Sequence, residues 1–128
     1  MVRSESELPR DMQGPIFAQE FVPHTTADIK VYGIGSRVFA IRRHFPARTI
    51  SDKLGAFFTP TREIVALATR CREAFGLPLY GIDLIEGPDG LFVIDVNSTP
   101  GYKGVDAVAE LIADLISGRL SEPLLEAS

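Results

Sequence analysis

The 128-residue sequence predicts an α+β domain, in which helices pack on one side of an antiparallel sheet built from hairpins. Two pairs of short apolar runs are each joined by a glycine-containing turn, which indicates two β-hairpins. Two further segments repeat apolar residues at helical spacing. The predicted order is strand, hairpin, helix, hairpin, helix.

Composition limits the class of protein. Hydrophobic residues make up 45% of the chain, enough for one domain with a modest core. The formal net charge of −4, without a run of like charges, argues against nucleic-acid binding. No apolar stretch approaches the roughly 20 residues that cross a bilayer, and no secretory signal opens the chain. The single cysteine, Cys71, excludes an internal disulfide and fits a cytoplasmic protein.

The amino-terminal end divides into a tail and a first strand. Residues 1–15 are polar and contain Pro9 and Pro15, which predicts a flexible tail or linker. Residues 16–118 form the predicted domain, and residues 119–128 a second tail. The domain begins with an expected strand over residues 16–22, which Pro23 ends.

The first hairpin is expected from residues 28–34 and 37–43, around Gly33-Ile34-Gly35-Ser36. This turn is not a dinucleotide-binding loop, because the third glycine is missing and a strand follows. The sequence does not settle which face of this hairpin is buried. Residues 44–60 lack any period and are expected to form an irregular loop, of a length that is usually functional or disordered.

Two helices are expected. Thr59 as cap and Pro60 in the first turn open the first, and Gly76 with Pro78 ends it. Cys71 belongs to its apolar stripe and is expected to pack rather than to act as a nucleophile. The full stripe comprises Ile64, Leu67, Ala68, Cys71 and Phe75. The second helix has an apolar side of Val105, Val108, Ile112, Leu115 and Ile116, and ends at Gly118.

The second hairpin carries the chemistry. Residues 79–86 and 91–97 flank Gly87-Pro88-Asp89-Gly90, and Pro88 with Gly90 predicts a three-residue loop over 88–90. Residue 87 then pairs with residue 91. This register sets Asp83 opposite Asp95 and puts Asn97 on the same face. The other face is expected to be apolar, with Ile82, Leu84, Phe92, Ile94 and Val96.

Two carboxylates and an amide oxygen on one face favour a hard cation. Magnesium prefers such oxygen ligands, and usually binds one or two carboxylates together with substrate phosphates. The alternative is an ordinary hairpin whose acids point into water, because a register slip of one residue would separate Asp83 from Asp95.

The pattern Asp83-x11-Asp95-x-Asn97-x-x-Pro-Gly resembles the metal-binding signature of the ATP-grasp superfamily. The resemblance implies that these three residues hold two Mg²⁺ ions, or Mn²⁺ in their place, against the phosphates of ATP. A second match is similar to the hinge that holds adenine in these proteins, through backbone groups and an apolar side chain. It consists of Gln19, Glu20, Phe21 and Val22.

A third match lies in the first hairpin. Asp28-Ile29-Lys30-Val31 resembles the Asp-Ile-Arg strand of RimK-like glutamate ligases. There the acid lies near the ribose, and the basic residue lies near the transferred phosphate or the substrate carboxylate. The resemblance implies that Asp28 contacts the nucleotide and that Lys30 and Arg43 stabilise anionic oxygens, as preorganised cations can. The alternative is that both cations are solvated strand residues.

The resemblance covers residues 16–116 and corresponds to the carboxy-terminal part of an ATP-grasp enzyme. It implies ATP, a carboxylate and an amine as ligands of a carboxylate–amine ligase, and the missing lobe would supply two phosphate-binding lysines.

One alternative is an inositol phosphate kinase, because Ile-Asp-Val-Asn-x-x-Pro-Gly-Tyr also resembles a pattern of those kinases. Another is a half-domain that binds nucleotide without catalysis. Self-association is expected through the surface that the missing lobe would cover. In D-alanine–D-alanine ligases of this superfamily, an arginine stands two residues before the first metal-binding acid. In this sequence that position is Gly81.

Overall fold

The computed structural model describes residues 4–8, 11, 13–23, 27–44 and 46–118. Within them a five-stranded antiparallel sheet has the order β3-β2-β1-β4-β5. The predicted α+β class and its antiparallel sheet are confirmed. The strands are β1 Ala27–Ile34, β2 Arg37–His44, β3 Ala56–Phe58, β4 Leu79–Gly87 and β5 Gly90–Asn97, and the helices are α1 Ile50–Leu54, α2 Arg62–Phe75 and α3 Val108–Ile116.

The core lies between α2 and one face of the sheet. Ile64 and Ala68 of α2 are buried against Val31, Ile82 and Leu84. Burial of apolar surface of this kind is the main driving force for such a two-layer arrangement. None of the helices in the described ranges has the length and apolar composition to span a bilayer.

The first hairpin forms as predicted and ends in a two-residue turn, Gly35-Ser36. Ile34 pairs with Arg37, and Gly35 adopts the left-handed conformation with φ of 57°. Because strand side chains alternate between faces, Ile29 and Val31 point to the α2 side, and their neighbours on β1 point to the opposite face. We call that opposite face, with Asp28, Lys30 and Tyr32, the polar face.

The predicted strand over residues 16–22 is wrong. Residues 13–23 form no strand and run past the β5 edge, where Gln19 Nε2 donates to the carbonyl oxygen of Ile94 at 3.5 Å. A bulge at Ile94 interrupts β5, and bulges at edge strands prevent regular pairing. In the predicted tail the structure describes a 3₁₀ turn, Glu5–Glu7, whereas residues 119–128 lie outside the described part.

The irregular loop expected over residues 44–60 contains α1 and β3. Thr49 and Asp52 form a reciprocal capping box at the start of α1. Ile41 of β2 pairs with Phe57, so β3 adds an edge to the sheet. Elements of five and three residues are too short to produce a hydrophobic period, which explains why the sequence pattern missed them.

The predicted helices differ from the observed ones at their ends. Thr61, not Thr59, caps α2, because its hydroxyl accepts from the N–H of Ile64. Gly76 ends α2 in the left-handed conformation, as predicted. Phe75 is 62% exposed, since α2 ends there and its side chain leaves the apolar stripe. In α3, Val105 precedes the first turn and Ile116 at the last turn is exposed.

The second hairpin has a shorter turn than predicted. Gly87 pairs with Gly90, so Pro88 and Asp89 alone form the turn. This register moves every pair near the turn by one residue, and Leu84 faces Val93. Leu91 and Val93 therefore pack against the core, and Phe92 pairs with Ile85 on the polar face. The prediction that Phe92 and Ile94 belong to the core face is wrong.

The bulge at Ile94 restores the predicted register beyond it. The extra residue between the Leu84–Val93 and Asp83–Asp95 pairs reverses the alternation once more. Asp95 consequently lies opposite Asp83, as predicted, and Val96 returns to the core side opposite Ile82.

Candidate metal and phosphate site

The polar face brings three predicted metal ligands to adjacent strands. Asp83 on β4 faces Asp95 on β5, and Asn97 follows on the same face, opposite Gly81. Directly opposed residues have Cβ atoms about 5 Å apart, and two like charges at that distance repel. Asp95 and Asn97 are exposed, whereas Asp83 is half-buried.

Asp83 is bonded to two cations. Its Oδ2 accepts from Lys30 Nζ at 2.8 Å, and its Oδ1 accepts from Arg43 Nη2 at 3.0 Å. Arg43 also makes a forked pair with Asp28, with distances of 3.1 and 2.5 Å. We call Asp28, Lys30, Arg43 and Asp83 the ion-pair cluster. It contains two acids and two bases, so its formal charges cancel.

The ion-pair cluster is half-buried, which strengthens its bonds relative to surface pairs. The side chains of its members expose between 12% and 28% of their area. Burial alone would lower the pKa of Arg43, but its bonds with Asp28 and the charges of Asp28 and Asp83 hold that pKa above its usual value. Arg43 is therefore a permanent cation, and its planar fork suits two carboxylates at once.

The turn after Asn97 packs onto the polar face. Asn97 Oδ1 accepts from the N–H of Thr99 at 2.8 Å, which begins the turn. Pro100 then lies against Gly81. Tyr102, with φ of 48°, donates its hydroxyl to the Gly33 carbonyl oxygen at 3.1 Å.

The aromatic ring of Tyr102 joins a small tyrosine group at this turn. Its centroid lies 5.2 Å from that of Tyr32. Burial, with smaller contributions from Tyr80 and Tyr32, raises the pKa of Tyr102 to about 12. The phenol is therefore neutral at ordinary pH and can donate a hydrogen bond to the Gly33 carbonyl oxygen.

The predicted adenine hinge lies at the β5 end of the polar face. Gln19 reaches Ile94, and Val22 lies close to Gly87 beside the Phe92 ring. Glu20 and Phe21 are exposed. These four residues are therefore adjacent to the strand that carries Asp95, although they form no strand themselves.

The donor chemistry of this face fits a hard divalent cation. Asp83, Asp95 and Asn97 offer oxygen ligands in the number and type that magnesium takes from proteins, with phosphate and water completing its shell. Among the described residues, however, no three His, Cys, Asp or Glu side chains lie close enough to form a cage by themselves. Both oxygens of Asp83 are bonded to cations, so a metal at Asp83 would lie beside Lys30 and Arg43 and would compete with them for the carboxylate.

Sequence reasoning missed three members of this site: Gly81, Pro100 and Tyr102 as packing residues of the turn. Their roles depend on contacts between distant segments, which a sequence pattern does not contain. It also missed Tyr32, for which a signal existed. Asp28, Lys30 and Tyr32 are spaced by two, and strand alternation places such residues on one face.

The opposite face holds a second ion pair. Arg42 makes two bonds to Glu86, at 2.6 and 3.1 Å, and its guanidinium lies over the Phe58 ring. The Arg42 bond lowers the pKa of Glu86. This pair borders a cavity of about 260 Å³ at the start of α2, and strand alternation places it on the side of the sheet opposite the ion-pair cluster.

Comparison with known proteins decides the family. The sequence model described as "Inositol 1,3,4-trisphosphate 5/6-kinase ATP-grasp domain" matches residues 45–117, more than half of the chain. The chain belongs to the ATP-grasp family. The range matched by the family model contains Asp83, Asp95 and Asn97, the three residues on which the sequence resemblance rested.

Relatives of this ATP-grasp chain are named as ligases. A probable alpha-L-glutamate ligase of Xanthomonas euvesicatoria is 31% identical over 113 residues, which cover 83% of this chain and 38% of the relative. The chain thus spans well under half the length of that relative.

Solved structures share the fold. An ATP-grasp ligase from Chryseobacterium gregarium, in complex with ADP and a leader and core peptide, has a TM-score of 0.65 at 13% identity, over 79% of this chain and 35% of that one. The ATP-grasp ligase PsnB, complexed with a precursor variant, Mg and ADP, has a TM-score of 0.59 at 25% identity, over 76% and 34%.

Proposed function

We propose that this chain binds Mg-ATP as the carboxy-terminal part of an ATP-dependent carboxylate–amine ligase. The observation that carries the proposal is the pairing of Asp83 with Asp95, with Asn97 beside them, in a chain of the ATP-grasp family. Its relatives named as glutamate ligases support the ligase class. The cytoplasmic location suggested by the single cysteine belongs to the same proposal.

The proposed reaction has two steps. A carboxylate oxygen of the first substrate attacks the γ-phosphorus, the bond from that phosphorus to the bridging oxygen breaks, and an acyl phosphate and ADP form. An amine then attacks the acyl carbon, phosphate leaves with the bonding electrons, and the amine loses its proton as the amide forms. Positioning and charge neutralisation carry most of such catalysis.

The residues of the chain divide between metal, nucleotide and phosphate. Asp83, Asp95 and Asn97 would hold magnesium, which supplies charge neutralisation at the transferred phosphate. Residues 19–22 would hold the base, and Asp28 would lie near the ribose. Lys30 and Arg43 would supply positive charge beside the phosphoryl oxygens, since both project from the polar face beside Asp83.

Calorimetry with a non-hydrolysable ATP analogue tests the binding proposal. We expect binding that requires magnesium and that Asp95→Ala abolishes, because the mutant loses a carboxylate ligand. Asp89→Ala is the matched control, since it removes one exposed acid from the turn of the same hairpin. Magnesium-independent binding, or equal losses in both variants, would refute the proposed site.

A second candidate is phosphoryl transfer to a polyol, because the matching family model is named for an inositol trisphosphate kinase domain. The identity of the molecule that accepts the phosphoryl group distinguishes the kinase from the ligase. We expect no calorimetric binding of inositol trisphosphate in the presence of the ATP analogue, since such an acceptor needs several cations beyond the ion-pair cluster. Saturable binding of inositol trisphosphate would favour the kinase.

A further inference from the structure

We propose that the two cations of the cluster have different roles: Arg43 is a positioning residue for Asp83, whereas Lys30 is exchanged for the metal. This inference rests on the proposed function and assigns separate tasks to residues that the sequence treated alike. It follows from how each cation is held.

Arg43 is held on two sides. Its fork is bonded to both oxygens of Asp28, and Nη2 also reaches Asp83 Oδ1. β1 pairs with β2 at Asp28 and Arg43, and with β4 at Lys30 and Asp83, so the guanidinium bridges three neighbouring strands. Forked pairs fix geometry as well as charge. Arg43 therefore sets the orientation of the Asp83 carboxylate.

Lys30 is held differently. Within the described part of the chain its side chain makes one hydrogen bond, from Nζ to Asp83 Oδ2. Its ammonium sits at the end of a flexible four-carbon stem, and it lies 5.9 Å from the centroid of the Tyr32 ring. Breaking one bond is enough to release it.

The two oxygens of Asp83 thus have separate partners. A metal ion can replace Lys30 at Oδ2 while Oδ1 stays bonded to Arg43. Asp83 faces Asp95 across the β4–β5 pair, and a carboxylate that is still bonded to Arg43 keeps this placement during the exchange.

The exchange couples metal binding to anion binding. Before the exchange, the negative charges of two acids balance the positive charges of two bases in the ion-pair cluster. After it, the displaced ammonium of Lys30 has lost its counter-charge, and a phosphate oxygen brought with the metal restores the balance. Metal without phosphate must therefore compete with Lys30, and linkage requires each ligand to strengthen the binding of the other.

Manganese titration of the whole 128-residue chain tests this inference, with free Mn²⁺ measured by electron paramagnetic resonance. For Lys30→Met we expect Mn²⁺ to bind on the order of tenfold more tightly than to the wild type without nucleotide. We also expect the ATP analogue to raise Mn²⁺ affinity by a larger factor in the wild type than in Lys30→Met, because part of the gain in the wild type comes from pairing the released ammonium with phosphate. Lys30→Arg keeps the competing cation and is expected to show no gain.

Two further variants separate position from charge. Arg42→Met is the matched control, because it removes an equal charge from a neighbouring residue on the opposite face, and it is expected to match the wild type. Arg43→Lys preserves the charge but loses the fork, and we expect Mn²⁺ binding with nucleotide to weaken several-fold. Circular dichroism checks that each variant is folded, and Lys30→Gln replaces Lys30→Met if the latter does not fold.

The outcomes separate this inference from the proposed function. If the wild type binds Mn²⁺ with nucleotide but Lys30→Met shows no gain without it, the exchange is wrong and the proposed function stands. An equal gain in Arg42→Met would also overturn the exchange, and Arg43→Lys behaving as wild type would overturn the positioning role. If no variant binds Mn²⁺ under either condition, both proposals fail.

Discussion

Pro100 lies so close to Gly81 that a Cβ atom at residue 81 would come within 2.8 Å of the Cβ of the proline. Gly81 is also the strand partner of Asn97, three residues before Pro100. The missing side chain at residue 81 therefore allows the turn after Asn97 to lie on the sheet. An arginine, as in the D-alanine–D-alanine ligases, would not fit beneath this turn as it is placed here.

Gly81→Ala is expected to push the turn away from the sheet. Overpacking of this kind costs about 1–3 kcal/mol, and we expect the free energy of unfolding in urea to fall by that amount. Mn²⁺ binding with nucleotide should weaken as well, since Asn97 moves with the turn. Gly101→Ala is the control, because a Cβ atom there has no neighbour within 4 Å. Equal stability of Gly81→Ala and wild type would contradict the packing role.

Tyr102→Phe removes the hydrogen bond to Gly33 but keeps the ring against Tyr32. Loss of one such bond should lower the free energy of unfolding by about 1 kcal/mol. The variant also changes how stability depends on pH, because the pKa of Tyr102 is about 12 in the folded protein, above the usual tyrosine value of 10.0. The unfolded chain therefore loses this proton first as pH rises.

Stability contributed by this group is complete below pH 10 and is lost as pH rises from 10 towards 12. Urea unfolding across this range should show a smaller decline for Tyr102→Phe than for the wild type. Tyr32 and Tyr80, whose pKa values burial also raises, keep part of the decline in the variant. Parallel pH profiles for the two proteins would argue against the raised pKa of Tyr102.

Arg43→Met leaves two carboxylates, Asp28 and Asp83, without the cation between them. Charged hydrogen bonds in half-buried sites contribute about 1.5–3 kcal/mol each, so we expect a loss of at least about 2 kcal/mol in urea unfolding. Arg42→Met removes a more exposed pair with Glu86 and should cost about 1 kcal/mol or less. A smaller loss in Arg43→Met than in Arg42→Met would contradict the assigned burial of the ion-pair cluster.

The bulge at Ile94 predicts which of two variants, Val93→Asp or Phe92→Asp, is less stable. Hydrophobicity alone would not predict this order. Val93→Asp puts a carboxylate among core residues opposite Leu84, whereas Phe92→Asp puts it on the polar face. Burying a charge or an unpaired polar group costs about 1–3 kcal/mol or more. We expect Val93→Asp to be the less stable variant in thermal unfolding, and the reverse order would place the bulge elsewhere.

The sequence alone determined both hairpins, α2 with its Gly76 stop, and the pairing of Asp83 with Asp95. These features depend on local signals: turn residues, helical period and strand alternation act over a few neighbouring positions. The pairing was predicted through a three-residue loop, whereas the protein uses a two-residue turn and a bulge. The two routes give the same register at Asp83 and differ at Phe92 and Val93.

Tertiary structure decided which faces are buried and which charges meet. The sequence of β1 and β2 left their buried face open, and packing of α2 against Val31 settled it. The strand expected over residues 16–22 does not form, because a strand requires an edge that can pair with it. Lys30, Arg43 and Asp83 lie far apart in the sequence, and they meet because β1 lies between β2 and β4. Strand order is a property of the whole sheet, and no local pattern contains it.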